Sequence, residues 1–177
     1  MITGSGKRTG MGYAMAETLA GTGTNVIIAD FGRGEVIDGD LKMGAWEEMT
    51  RLAGELADHF GVATLAVAVD VTDNDSIGAM VATVRERFPR VDILCNNAGA
   101  SFGVPNAVLN YDEASWLKTI DVNLHSVFRI SRAVIPLMAG APGVIINTAS
   151  RAGKVPPIFN GAYAVAKAGV IMLSKVM

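Results

Sequence analysis

Two rhythms of apolar residues alternate along the chain. Short runs with little polar alternation, such as Asn25 to Asp30 (NVIIAD), read as strands buried on both faces. Four more segments fit that pattern: Met1 to Thr3, Val62 to Val69, Val91 to Cys95 and Gly143 to Asn147. The first is the end of a strand that the start of the chain cuts short. Between the strands, apolar positions recur three or four residues apart, which is the helical period. Ala45 to Phe60 is the clearest case, with Trp46, Met49, Leu52, Ala53 and Leu56 on one face. Gly12 to Gly21 predicts a helix with Ala14, Leu19 and Ala20 toward the sheet. Ser76 to Phe88 predicts another, capped by Asp73 or Asp75. A long helix runs from Asp112 to Met138 with a break before Pro136. The last begins near Ala162 and is still running at Met177.

Repeated strand–helix units joined by right-handed crossovers predict a Rossmann-type, doubly wound parallel sheet in a three-layer α/β/α arrangement. A length of 177 residues suits a single domain, residues 1–177, with a buried core. Half the residues are hydrophobic and 20 are glycine, a mix that argues against disorder and for small residues where helices meet strands. The formal charge of −2 implies no field that seeks polyanions, so nucleic acid is not an expected partner. Cys95 is the single cysteine and His59 and His125 are the only histidines. An internal disulfide and a Cys- or His-ligated metal centre are therefore not expected, and the lone thiol suits a reducing cytoplasm. Neither a basic leader nor a bilayer-length apolar stretch is present, so no membrane role is expected.

A doubly wound sheet binds ligand beyond the carboxyl ends of its strands, and the unusual residues here fall at those ends. The first such end is Thr3-Gly4-Ser5-Gly6-Lys7-Arg8-Thr9-Gly10-Met11-Gly12. A glycine-rich turn between strand and helix lets backbone N–H groups approach a pyrophosphate at the positive helix end. A P-loop reading fails, because Arg8 follows Gly6-Lys7 where serine or threonine is required and position 1 is Met. Asp30 closes the second strand 18 residues beyond Gly12. An acid there accepts hydrogen bonds from adenosine ribose hydroxyls and repels a 2′-phosphate, which favours NAD. Lys7, Arg8 and Arg33 keep NADP open as the alternative. Asp70-Val71 follows the third strand, where a carboxylate can meet the adenine amino group. Asn97-Ala98-Gly99 follows the fourth, where small residues and side-chain amides tie strand ends together.

Tyr163 and Lys167 lie four apart, on one helical face. A free tyrosine, with pKa about 10, is a poor base at neutral pH. A neighbouring lysine cation and a positively charged nicotinamide both favour the phenolate, which makes the phenol a usable general acid/base. Ser150 sits just after the fifth strand, thirteen residues before Tyr163. Asn123 lies in the long helix between apolar neighbours, where an amide competes for backbone hydrogen bonds and so asks for a reason.

With these residues in this order, the chain resembles the classical short-chain dehydrogenases/reductases (SDR) over essentially its whole length. The resemblance rests on the glycine-rich turn, the acid after the second strand, Asp-Val-Thr, Asn-Asn-Ala-Gly, the helix asparagine, the serine after the fifth strand and Tyr-x-x-x-Lys. It implies an NAD(P)-dependent oxidoreductase that moves hydride between cofactor and the carbon of an alcohol or ketone. Tyr163 would be the proton donor or acceptor. Lys167 would support it and hold the nicotinamide ribose, Ser150 would polarise the substrate oxygen, and Asn123 would anchor a water. Gly4, Gly6, Arg8, Gly10, Met11, Gly12, Asp30, Asp70, Val71, Asn97, Ala98 and Gly99 would join Tyr163 and Lys167 around the cofactor.

The family turn fits Ser5 to Gly12 with serine for threonine, and fits Thr3-Gly4 with two residues inserted, so Gly4 and Gly6 compete for one role. Phe31 to Gly44 is longer and more polar than the family's link and is a candidate cover for the adenosine. The family continues with further strands and a lid, so the fold is expected to be C-terminally incomplete. A homotetramer is implied by the resemblance alone; Val127, Ile130 and Val134 form an apolar helix face that suits pairing or ordinary core equally well. Ala100 to Asn110 and Arg151 to Asn160, including Phe102, Val155, Pro156 and Phe159, are the candidate substrate walls and favour an apolar, uncharged small molecule. The rival reading is a catalytically silent dinucleotide-binding or scaffolding protein on the same fold.

Overall fold

The run Val26–Asp30, buried at every position, forms a strand near the centre of the sheet because nothing in it would gain from facing water. The computed structural model describes residues 1–34, 36–38, 41–42 and 44–177. Within them, β1 (Ile2–Thr3), β2 (Val26–Asp30), β5 (Thr64–Ala68), β6 (Ile93–Asn96) and β7 (Val144–Asn147) form one sheet in the order β5-β2-β1-β6-β7. All pairings are parallel, with Ile2 opposite both Ile28 and Cys95 and with Cys95 opposite Ile146. A second, two-stranded antiparallel pair joins β3 (Val36–Asp38) to β4 (Leu41–Lys42). The reading of the 31–44 link as an adenosine cover lies partly outside the described residues.

Helices cover both faces. Tyr13, Ala16 and Ala20 of α1 (Met11–Gly21) and Met49, Leu52, Ala53 and Leu56 of α2 (Trp46–Phe60) pack on one side of the sheet. Ile77, Met80 and Val84 of α3 (Asn74–Arg87) and Ile130, Val134 and Met138 of α5 (Ser126–Met138) pack on the other. The expected three layers are therefore present. Asp73, not Asp75, caps α3, its carboxylate accepting from the Asp75 N–H at 2.9 Å.

Three local expectations are corrected, and the open reading of the α5 face is decided for core. Ala14 is exposed, because the buried stripe of α1 runs through positions 13, 16 and 20, roughly 100–160° away around the helix. Trp46 is 45% exposed, because as the first residue of α2 it stands over the carboxyl edge of the sheet rather than on its face. Val127, Ile130 and Val134 are core, and the apolar residues that α5 shows outward are Phe128 and Ile135. The long helix does not break at Pro136, which α5 accommodates. It is interrupted instead at Asp121–His125, one π-helical turn between α4 (Glu113–Ile120) and α5.

Asn123 explains that interruption. Its amide nitrogen donates to the Thr119 carbonyl at 2.8 Å, taking the acceptor that a regular α-helix would give to its backbone N–H, and the turn widens. Ser126 repeats the effect one turn on, its hydroxyl donating to the Val122 carbonyl at 2.6 Å. The last helix, α6 (Gly161–Val176), packs against α4, the π turn and a short 3-10 turn at Arg151–Gly153. Edge strand β7 leaves Val144 and Ile146 exposed.

Candidate active site

The strand order reverses between β1 and β6, and the glycine-rich turn and Asn97–Gly99 meet there. Thr3 joins them: its hydroxyl oxygen accepts the N–H groups of Asn97 at 3.0 Å and Ala98 at 3.1 Å. Asn97 returns two bonds, its amide donating to the carbonyls of Thr3 and Gly4. Gly4 holds φ +66°, and a Cβ on it would lie 2.8 Å from the Ala98 Cα. A Cβ on Gly12 would strike the Gly4 carbonyl. Gly4 and Gly12 thus form the close pair between turn and helix, whereas Gly6 sits against Asp30 and Met49. The competition between Gly4 and Gly6 resolves in favour of Gly4, with the extra residues looped out after it.

That pair opens the N-terminus of α1. Gly10 precedes the helix without a side-chain cap, so the N–H groups of Met11 and Gly12 have no intrahelical acceptor. This is the donor set that a pyrophosphate needs. Arg8 is directed elsewhere. Its guanidinium pairs with Glu55 of α2 and lies 5.3 Å from the Tyr13 ring centroid, and its N–H donates to Glu48. Asp30 is also committed, its two oxygens accepting the N–H groups of Gly6 (2.7 Å) and Phe31 (2.8 Å).

A cavity of about 250 Å³ opens at the carboxyl ends of β2 and β5, lined by Phe31, Arg33, Trp46, Asp70 and Ser76 among others. Asp70 turns one oxygen onto Thr72, accepting from its N–H at 2.9 Å and its hydroxyl at 2.6 Å. Val71 points into the core. Phe31 and Trp46 are not among the residues the sequence assigns to the cofactor, whereas Arg33 enters there only as one of the cations that keep NADP open. An aromatic or cation beside a strand-end acid is the signal that could have added them.

On the other side of the switch point, β7 ends in Asn147 and delivers Thr148 and Ser150. Ser150 begins the 3-10 turn, its hydroxyl oxygen accepting the Ala152 N–H at 3.1 Å. The turn is pressed onto α6: a Cβ on Gly153 would lie 2.6 Å from the backbone carbon of Lys167. Lys167 is 3% exposed, and its ammonium donates to the Thr148 carbonyl at 2.8 Å. Burial pushes that ammonium down to about 8, and no carboxylate pairs with it among the described residues. It lies 5.6 Å from the centroid of the half-buried Tyr163 ring, one helical turn earlier.

Asn123 completes the cluster from below. Its amide nitrogen also donates to the Ala100 carbonyl, while its amide oxygen is buried without a partner. A Cβ on Gly99 would meet that oxygen at 2.7 Å and the Lys167 nitrogen at 3.6 Å, so amide and ammonium flank one glycine. An orphaned buried acceptor beside a buried donor suits an ordered water or a ligand hydroxyl. Ser150, Tyr163, Lys167 and Asn123 are thus brought to one region. Of the candidate substrate walls, Phe102 is interior, whereas Val155 and Phe159 are exposed. The two loops are tied together, the Asn106 N–H donating to the Phe159 carbonyl at 2.9 Å. Phe159 itself is held at φ 65°, an uncommon conformation outside glycine.

Together these features define the class, a doubly wound Rossmann-type domain with polar and ionisable groups gathered at its switch point. The chain belongs to the short chain dehydrogenase family, whose model matches residues 1–177. It is 36% identical over 176 residues to a D-beta-hydroxybutyrate dehydrogenase of Rhizobium meliloti (strain 1021), covering 99% of this chain and 62% of that one. Among solved structures it superposes on NAD+-bound xylitol dehydrogenase with TM-score 0.83 and 28% identity, over 99% of this chain and 61% of the other. L-sorbose reductase from Gluconobacter frateurii, complexed with NADPH and L-sorbose, matches with TM-score 0.83 and 30% identity at the same coverages. The chain spans about three fifths of the length of these relatives. Among the described residues, no helix is long and apolar enough to cross a membrane, and no cluster of three His, Cys, Asp or Glu could hold a metal.

Proposed function

We propose that residues 1–177 form a dinucleotide-binding and catalytic domain of an NAD(P)-dependent oxidoreductase acting on a small alcohol or ketone. The observation that carries this reading is the buried ammonium of Lys167 beside Tyr163, with no carboxylate paired to it among the described residues. A cation so placed weakens the fold, and its return is chemical. The open N-terminus of α1 and the cavity beyond β2 and β5 fit the pyrophosphate and adenosine halves of a dinucleotide. Bound there, the cofactor supplies or accepts the hydride. Every other step belongs to the chain. Ser150 donates a hydrogen bond to the substrate oxygen and orients it. Tyr163 gives that oxygen a proton in reduction and takes it in oxidation. Lys167 favours the phenolate through space, and its N–H donors beyond Thr148 serve a ribose hydroxyl. The Asn123 oxygen holds a water that returns the proton to solvent.

The test is a panel of secondary alcohols and ketones assayed with NAD, NADP and their reduced forms. Reduced dinucleotide should be consumed or formed with at least one member of the panel. Dinucleotide binding without turnover on any of them would instead favour the silent holder. The related NAD+- and NADPH-bound enzymes support either cofactor, and the exposed Phe128 and Ile135 on α5 support pairing between copies.

Gly153 provides a further check on the arrangement. Its replacement by alanine forces the Ser150 turn away from α6, because the obstacle is backbone. Gly153→Ala is expected to cost about 1–3 kcal/mol of stability through overpacking. It should also lower kcat more than it changes dinucleotide affinity. Urea unfolding, steady-state kinetics and cofactor titration together check the split.

A further inference from the structure

We infer that Glu48 and Glu55 of α2 are positioning residues for dinucleotide binding: through Arg8 they hold the tip of the enlarged glycine-rich turn clear of the pyrophosphate seat on α1. This rests on the proposed function and gives the polar face of α2 a part in it.

The residues that lengthen this turn must be accommodated. Ser5 is buried and continues β1 alongside β2, its N–H donating to the Ala29 carbonyl at 3.3 Å and its hydroxyl oxygen accepting the Ala29 N–H at 3.2 Å. The excess chain therefore emerges beyond Gly6, as a tight turn in which the Gly10 N–H donates to the Lys7 carbonyl at 3.0 Å. Arg8 and Thr9 form its exposed tip, just before the open N–H groups of Met11 and Gly12. A tip that wandered across those donors would compete with a pyrophosphate for them.

Contacts with α2 and with Tyr13 prevent this. The Arg8 N–H donates to Glu48 at 3.2 Å, its guanidinium pairs with Glu55, and the guanidinium lies 5.3 Å from the Tyr13 ring centroid. Glu48 and Glu55 are separated by about two helical turns, so they face one way and grip one residue at both its backbone and its side chain. Glu55 gives its other oxygen to Arg51, which fixes the carboxylate between two guanidinium groups. Arg8 also lines a groove of about 500 Å³ between α1 and α2, where Glu17, Glu55 and Asp58 supply carboxylates. Their field draws the Arg8 cation toward α2 and away from an incoming phosphate. Both partners of the Arg8–Glu55 pair are half-exposed, so the pair adds little to global stability. Its effect is local: a turn already held in place costs a ligand less to order.

Calorimetric titration with NADH and NADPH tests the clamp. Glu55→Gln should weaken both dinucleotides by roughly three- to fivefold, the upper range for an exposed ion pair. Glu55→Asp should recover part of that loss. Arg8→Met should weaken binding at least as much as Glu55→Gln. The double variant should be no worse than Arg8→Met alone, because the two residues act as one unit. In steady state the loss should appear in KM for the dinucleotide, with kcat retained. Glu47→Gln removes an exposed carboxylate from the same helix and should leave dinucleotide affinity as it is. Tighter binding in Glu55→Gln would mean that the pair withholds Arg8 from a phosphate it could grip, and overturns the inference. Unchanged affinity in Glu55→Gln, or an equal loss in Glu47→Gln, overturns it too, and each of these results leaves the proposed function standing. Failure of the unmodified protein to bind either dinucleotide overturns the two together.

Discussion

Replacing Tyr163 by phenylalanine is expected to lower kcat by about 10²–10⁴-fold, the usual contribution of a positioned general acid or base. Dinucleotide affinity should stay nearly constant. The substitution removes one oxygen from a half-buried ring and leaves the packing of α6 on the Ser150 turn, through Gly153, untouched. The proposed binding determinants, at the α1 N-terminus and the β2–β5 cavity, lie on other elements. The result should therefore be a loss in turnover with little change in fold or cofactor binding, which steady-state kinetics and fluorescence titration separate. A variant that turns over normally would remove the phenol from the chemistry. One that loses cofactor as well would show that the hydroxyl serves binding.

The residues that carry this expectation were legible because they follow short-range rules. Tyr163 and Lys167 are one helical turn apart, so their common face needs no tertiary information. The strand cores of β2 and β6 were equally plain, since unbroken apolar runs have little alternative to burial. What stayed hidden depends on partners far away in the chain. Asn123 looked anomalous in a helix, but that it widens the backbone into a π turn follows from its bonds to Thr119 and Ala100. The proline thirteen residues on drew the break instead. Asp30 carried the right residue type at the right strand end, yet whether its oxygens meet a ribose or a backbone depends on where Gly6 and Gly44 are folded. Arg8 stands in the glycine-rich turn that the sequence reads as a pyrophosphate site, yet it is captured by a glutamate 47 residues away. Charge and spacing place a group near a site; competing partners decide where it points.

Lys167 carries the second large expectation, in stability as well as rate. Its pKa falls from the ordinary lysine value to about 8 in the folded protein, with burial as the cause. The unfolded chain therefore holds more protons than the native one between about pH 8 and 10.5. Below pH 8 the fold bears the full cost of a charged, desolvated amine. As pH rises through that window the cost is relieved, and above it the cost is gone. A shift of this size corresponds to about 3 kcal/mol. Lys167→Met keeps the length of the side chain and discards the charge, so its unfolding free energy should exceed that of the unmodified protein most at pH 7. The loss of the bond to the Thr148 carbonyl offsets part of the gain at every pH, and so does not alter the slope. Taking the difference between the two proteins cancels the other titrating groups. Denaturant unfolding at pH 7 and pH 10.5 reads it directly, and a difference that stays flat would mean that the ammonium is solvated in the native state. The same variant should lose kcat by about 10²-fold or more, because the phenolate of Tyr163 forfeits its neighbouring cation. A substitution that strengthens the fold and disables turnover would show that this amine is kept buried for chemistry.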